Sequence, residues 1–271
     1  MSPIFVVFFI PFLYTSAFAQ QYDTAYTKVY YTMKHMTDSA KPDKFRQENM
    51  VLYMGRQMNI FLSYDKIIRD SILIQESRNG NNSESAETSK PVTYTKIIND
   101  KNNRRLVVQE YLFRNYHYTS PNAEISWQFT HEQKQIAGYN CSKAEGYYKG
   151  RTYYAWFTTA LPYEGAPWKL QGLPGLVLEA YDTRNQVFFL FKKIESDNGN
   201  GFVITTPPEK SVETTRKDFL HMREAAFDDP IGFINSNNPA IGIQINVKPG
   251  NDKAKEIRLK KVGNPLELTD E

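Results

Sequence analysis

Residues Pro167 to Ile194 read PWKLQGLPGLVLEAYDTRNQVFFLFKKI, a stretch with two strand candidates, a corner before the first and a turn between them. The corner is Gly172-Leu173-Pro174-Gly175-Leu176. A phosphate cradle needs a longer glycine spacing closed by Gly-Lys-Ser/Thr. No lysine or hydroxyl residue follows Gly175, and Pro174 removes one of the N–H donors a cradle would use. The third glycine and the following helix of a dinucleotide site are missing as well, and no Gly-x-Ser-x-Gly elbow occurs in the chain. The geometry of a turn fits better. Leu173 stands before proline and is pushed toward an extended conformation. Pro174 presets φ for the second position of a type II turn, and Gly175 accepts the positive φ of the third.

Leu176–Tyr181 and Gln186–Ile194 follow the corner and are separated only by Asp182-Thr183-Arg184-Asn185. Such a connection has no room for a crossover helix, so the two strands pair antiparallel. Gln186–Ile194 is apolar on both faces, which marks a buried strand. The same reading gives strands at Tyr26–Met36, Met50–Met54, Met58–Leu62, Val92–Ile98, Arg105–Phe113, Ile125–Thr130, Ile136–Ala144 and Thr152–Thr158. Near the C-terminus it adds Ile241–Val247 and Ile257–Val262. Ser63 caps a short helix with Tyr64, Ile68 and Ile72 on one face. Ser211–Phe227 is the clearest helix, with Val212, Phe219, Met222, Ala226 and Phe227 aligned and Pro230 ending it. The sum is an α+β fold, a large antiparallel sheet with a few helices on one face.

The chain has 271 residues, 41% of them hydrophobic, enough for a compact core. Its net charge of +3 is scattered, so nucleic acid is not the expected partner. The first twenty residues carry no charged side chain, and Ala17-Phe18-Ala19 supplies small residues ahead of Gln20. That pattern predicts a signal peptide over residues 1–19 and an exported mature domain over 20–271. Pro11 and the short length argue against a membrane span, so no transmembrane anchor is expected after cleavage. Ser77–Lys90 has no apolar residue but Ala86 and reads as a flexible insert. Cys141 is the lone cysteine, so no disulfide forms within the chain.

Residues with chemistry are sparse. The segment from His131, HEQKQ, has glutamine at position 135 where a zinc-protease helix needs its second ligand. Cys141 sits mid-strand, where a small buried hydrophobe is the common outcome and a nucleophile would need a base nearby. Glu145, Glu164, Glu179 and Asp182 fall in the central region beside Lys143, Lys149, Arg151 and Lys169, so charge pairing is the default. Glu164 and Glu179 are the carboxylates an envelope hydrolase would use. No residue is assigned a catalytic, cofactor-binding or metal-binding role.

The segment Gln135–Asp182 resembles the GLPGLI family of exported proteins from Bacteroidota-type bacteria. The resemblance rests on Ile136, Gly138, Tyr139, Cys141, Lys143 and Ala144, then Gly150, Arg151, Ala155 and Trp156, then Gly172, Leu173, Pro174, Gly175 and Leu176. Leu161-Pro162 stands for Ile-Pro, Gly165-Ala166-Pro167 carries one extra residue, and Val177 replaces the final Ile. Asn264-Pro265-Leu266-Glu267-Leu268 is similar to the usual family ending. The resemblance implies an exported protein, in the periplasm of a Gram-negative bacterium or secreted, with no enzymatic activity or cofactor to carry over. It also implies a curved sheet, an open half-barrel similar to the lipoprotein-carrier class with a few covering helices.

A helix is about 10 Å wide and strands lie about 4.8 Å apart, so two helices cover only about four strands. Part of the inner face is therefore expected to stay open unless curvature or the loop Pro162–Gly172 closes it. The expected surface for an apolar small molecule, a lipid or an envelope protein lies near Tyr139, Trp156 and Trp168. The expected function is non-enzymatic binding at that surface; the alternatives are an envelope hydrolase using carboxylates near Glu164 and Glu179, or a structural accessory protein without a small ligand.

Overall fold

The computed structural model describes residues 20–80, 90–122, 124–196, 201–237 and 263–269. The first half of the chain forms β1 (Gln21–Thr24), β2 (Thr27–His35), β3 (Arg46–Met54), β4 (Met58–Ser63), α1 (Tyr64–Arg78), β5 (Lys96–Asp100), β6 (Arg105–Leu112) and β7 (Arg114–Pro121). The second half adds β8 (Gln128–Ile136), β9 (Tyr139–Tyr148), β10 (Arg151–Thr158), β11 (Leu176–Asp182), β12 (Val187–Ser196), β13 (Val203–Thr206), β14 (Val212–Glu213), α2 (Arg216–Asp228) and α3 (Pro230–Asn237).

Twelve strands join in the order β14-β7-β6-β5-β4-β3-β2-β12-β11-β10-β9-β8, and β1 pairs with β13 in a separate ribbon. Every neighbour pair of the large sheet is antiparallel except β14 on β7. The end strands β14 and β8 do not pair with each other, so the curved sheet stays open. This is the α+β architecture expected from the strand pattern, except that the helices do not share one face: α1 packs on the outer cluster and α2 faces the inner side.

Turn chemistry sets the local pairings. Ala137-Gly138 (φ 50° and 86°) and Lys149-Gly150 (φ 46° and 84°) join β8 to β9 and β9 to β10. Positive φ at both central residues is the hairpin turn whose twist matches the strands. β7 escapes a periodicity reading because Phe113 alone, at φ 58°, separates it from β6. No glycine signals that reversal.

The inner face carries Val29, Tyr31 and Met33 of β2, Ala155 of β10, Leu178 and Ala180 of β11 and Phe189 of β12 in one core. The loop Leu161–Gly172 folds onto this face and buries Ala166 and Leu170 in it. Gly165 donates to the Gly175 carbonyl at 3.1 Å and accepts from Val177 N at 2.9 Å, which ties the loop to the start of β11. Gly175 has φ +100°, and a Cβ there would lie 2.2 Å from the Thr158 carbonyl oxygen. The corner therefore needs glycine for conformation and for space, as its sequence implies.

The outer face of the central strands is covered too. Tyr30, Val51, Tyr53, Ile60, Leu62, Ile98 and Val107 pack there with Ile204 of the ribbon. Helix α1 differs from expectation. Ser63 does cap it, accepting from Lys66 N, but the helix runs to Arg78 and buries none of its residues. Ile68 is 40% exposed, and Tyr64 and Ile67 make the contact with the outer core. The β-branched stripe was a weaker guide than the first turn, which the cap pins beside β3.

The second helix also starts later than expected. Thr215 is its N-cap, accepting from Asp218 N, and Val212 leaves the helix to form the exposed edge strand β14. Phe219 and Ala226 are its buried residues, set against Val108, Leu112, Tyr116 and Tyr118. The expected signal peptide, the core of the insert at 81–89, and the strands Ile241–Val247 and Ile257–Val262 lie outside the described residues. Among the described residues, no helix is long and apolar enough to cross a membrane.

Candidate functional site

Arg151 opens β10 directly after the hairpin glycine, with no exposed side-chain surface. Its guanidinium reaches Asp182 Oδ2 at 2.6 Å and Gln186 Oε1 at 3.0 Å. On its other edge it reaches Asn264 Oδ1 at 2.5 Å and the carbonyls of Pro265 and Leu266 at 2.7 and 3.2 Å. Asp182 also accepts from the backbone of Gln186 and Val187. A buried ion pair is tolerated when its remaining donors and acceptors are satisfied. Arg151 is thus a clamp that holds the C-terminal segment.

That segment is held along its length. Asn264 donates to Met36 O at 2.6 Å, and its own carbonyl lies 2.7 Å from His35 Nε2. Burial, with Arg151 and Arg46 nearby, lowers the His35 pKa to about 4. The ring is therefore neutral at pH 7 and donates from Nε2. Glu267 bridges Lys169 and Arg216 of α2, and Leu268 N bonds the Lys149 carbonyl at 2.9 Å. The tail thus links β2, the hairpin, the corner loop and α2.

A cleft of about 380 Å³ stays open beside this tail, between the inner face and α2. Met33, Val108, Tyr118 and Trp168 give it an apolar and aromatic floor, and Leu220 and Phe227 of α2 form the opposite wall. Trp168 is held at φ 56°, an uncommon state for a bulky side chain, and Lys169 Nζ lies 5.2 Å from its ring centre. Its indole Nε1 has no hydrogen-bond partner. Arg46, Arg223, Glu110 and Glu224 stand around the cleft. Of these, Arg46 is paired with Glu48 at 2.7 Å, and Glu110 accepts from Tyr118 at 2.8 Å.

The three aromatic candidates do not meet in one place. Trp168 lines the cleft, whereas Tyr139 and Trp156 do not. Trp156 is buried on β10, with Lys134 and Lys143 over its ring at 4.5 and 5.8 Å. Tyr139 starts β9 and packs half-buried on the main core. Their places in the fold explain the split: Trp156 sits on β10 opposite Lys143 and Glu179 and belongs to the main core, while Trp168 packs against that core from the corner loop.

The remaining sequence candidates sort as structure. Cys141 is buried, and burial pushes its thiol pKa up. Lys143 pairs with Glu132 at 2.7 Å, a hydrogen bond that raises its pKa. Glu179 pairs with Lys134. Glu164 is an exposed loop residue whose carbonyl accepts from Asn59 at 3.1 Å. The buried carboxylates Glu48, Asp100 and Asp182 are each held by an arginine. His131 is exposed on β8, and no metal-holding cluster of His, Cys, Asp or Glu occurs among the described residues.

Residues 79–212, which run from the end of α1 to the start of β14, match the family described as the N-glycanase peptide, N-terminal domain, of the PNGase F-II type. This chain is similar to part of an N-glycanase. Two solved structures of PNGF-II show the same fold. In the C2 crystal form the TM-score is 0.52 at 14% identity, over 76% of this chain and 33% of that one. In the P21 form it is 0.53 at 13% identity, over 75% and 34%. The chain thus spans about a third of the solved chains it matches. At these identities the likeness is one of fold. No curated protein matches the chain.

Sequence reading missed the cleft because its walls come from β2, β6, β7, the corner loop, α2 and the tail. Trp168, expected at the binding surface, does line it, and the family-like ending, which seats on Arg151, was the other signal available.

Proposed function

We propose that this chain is a non-catalytic binding protein of the bacterial cell envelope that takes an apolar ligand in the cleft between its curved sheet and α2. One observation carries the reading. With the corner loop and the tail both seated, a cleft floored by Met33, Val108, Tyr118 and Trp168 is still open. Largely apolar concavities with a few polar groups at the rim are the usual form of a small-molecule site. The likeness to an N-terminal domain of an N-glycanase supports a module that works beside chemistry done elsewhere. The uncharged leader Met1–Ala19 and the GLPGLI-like motifs support export to the periplasm.

The test is titration of the native protein with an environment-sensitive naphthalene dye, followed by fluorescence. Saturable binding that Leu220→Trp abolishes, with the fold intact by circular dichroism, supports the reading. Dye binding that begins only as the protein unfolds sinks it.

A further inference from the structure

We infer that the guest of the cleft against α2 is an apolar zwitterion, a molecule that carries a primary ammonium and an anionic group beside an apolar body. The inference rests on the binding function proposed for that cleft and assigns its chemistry.

The first argument is a charge account of the lining. Arg46 pairs with Glu48 at 2.7 Å, and Glu267 takes both Lys169 and Arg216. Glu224 is engaged as well. His35 is neutral at pH 7 and bonded to the Asn264 carbonyl. Glu110 and Arg223 remain, both half-buried. Neither has an ion-pair partner among the described residues, and they carry opposite signs.

The second argument is where the two stand. Glu110 lies on β6 between Val108 and Leu112, two residues from each, so all three share one face of the strand. Val108 and Leu112 pack there against Phe219 and Ala226 of α2. A carboxylate in such a row is unfavourable unless a partner compensates it. Tyr118 donates to its Oε1 at 2.8 Å, which orients the group but leaves its charge unopposed. On the opposite wall, Arg223 stands three residues after Leu220 and four before Phe227, so these three share the helix face that borders the cleft.

A guest with a single charge satisfies one of these groups and meets the other as a like charge. A zwitterion satisfies both, and charge pairs formed in a cleft partly shielded from water are stronger than pairs on an open surface. Met33, Val108, Leu220 and Phe227 receive the apolar body. An apolar α-amino acid and a monoacyl phosphoethanolamine lipid both have this chemistry.

The experiment is displacement of the naphthalene dye from the native full chain at pH 7. One arm uses phenylalanine, with phenylpropanoate and phenylethylamine as its anionic and cationic counterparts. The other uses dodecanoyl lysophosphatidylethanolamine, with dodecanoate and dodecylamine. In at least one arm the zwitterion should displace the dye at about tenfold lower concentration than either counterpart, the scale of one charge-assisted hydrogen bond. Glu110→Gln, whose amide oxygen still accepts from Tyr118, should bring the anionic counterpart level with the zwitterion. Arg223→Gln should do the same for the cationic counterpart. A purely structural role for either residue would not produce that exchange. If the dye binds saturably but the zwitterion has no advantage in either arm, or if either variant leaves the advantage intact, the inference falls and the apolar cleft stands. If the native protein binds no dye, the cleft reading itself falls and takes this inference with it.

Discussion

Arg151 and Asn264 lie 113 positions apart and meet through a hydrogen bond of 2.5 Å inside the protein. Arg151 begins a strand in the middle of the chain, and Asn264 belongs to the segment that closes it. Their contact ties the Gly150-Arg151 hairpin to the Asn264-Pro265 segment. The guanidinium needs acceptors on two edges, and Asp182 with Gln186 fills only one.

Arg151→Met should therefore cost about 3–5 kcal/mol, because Asp182 stays buried after losing its cation. Deleting the chain from residue 264 should cost a similar amount, and the two changes together much less than their sum. Urea unfolding of the three variants checks this. Full additivity would show that the tail is not held through Arg151.

Gly175 and Gly138 both have positive φ, but their surroundings differ. A Cβ at Gly175 would meet the Thr158 carbonyl at 2.2 Å, whereas one at Gly138 would meet nothing within 4 Å. Gly138→Ala should cost about 1 kcal/mol from backbone strain alone, and Gly175→Ala about 2–4 kcal/mol. Thermal melts that rank the two equally would remove the packing argument at the corner.

His35 predicts an acid sensitivity. Its folded pKa of about 4 lies below the ordinary 6.5, so the unfolded chain binds the extra proton between these values. The stabilisation is complete above pH 6.5 and is lost as pH falls toward 4, by up to about 3 kcal/mol. Below pH 4 both states carry the proton and this contribution stops changing. His35→Asn should flatten that part of the stability profile in a series of urea melts from pH 7 to 4.

Cys141 should behave as an inert core group. Burial holds its thiol pKa above the ordinary value, so labelling by a thiol reagent should be slow in native buffer and fast in urea. Cys141→Ala should cost about 1 kcal/mol and leave ligand binding in place. Rapid native labelling would return the nucleophile to consideration.

Much of the local structure was legible in the chain. Leu173-Pro174-Gly175 specifies its turn because proline and glycine restrict φ without help from neighbours. Phe219 and Ala226 mark the buried face of α2, because a helix repeats its faces at short range. β7 was not legible, since Phe113 turns the chain at positive φ without a residue type that announces it.

What the sequence by itself determined is most of the central strands, the Leu173-Pro174-Gly175 corner, the Asp182–Asn185 turn, and that an antiparallel sheet results. Only the tertiary structure decided that β2 lies against β12, that the tail seats on Arg151, and that Trp168 and Trp156 part company. The reason is physical. Side-chain alternation tells a strand which face to bury, but a backbone edge carries the same N–H and C=O groups whatever its sequence. The partner about 160 residues away is chosen by the core that closes around both strands, and the cleft is the space that closure leaves.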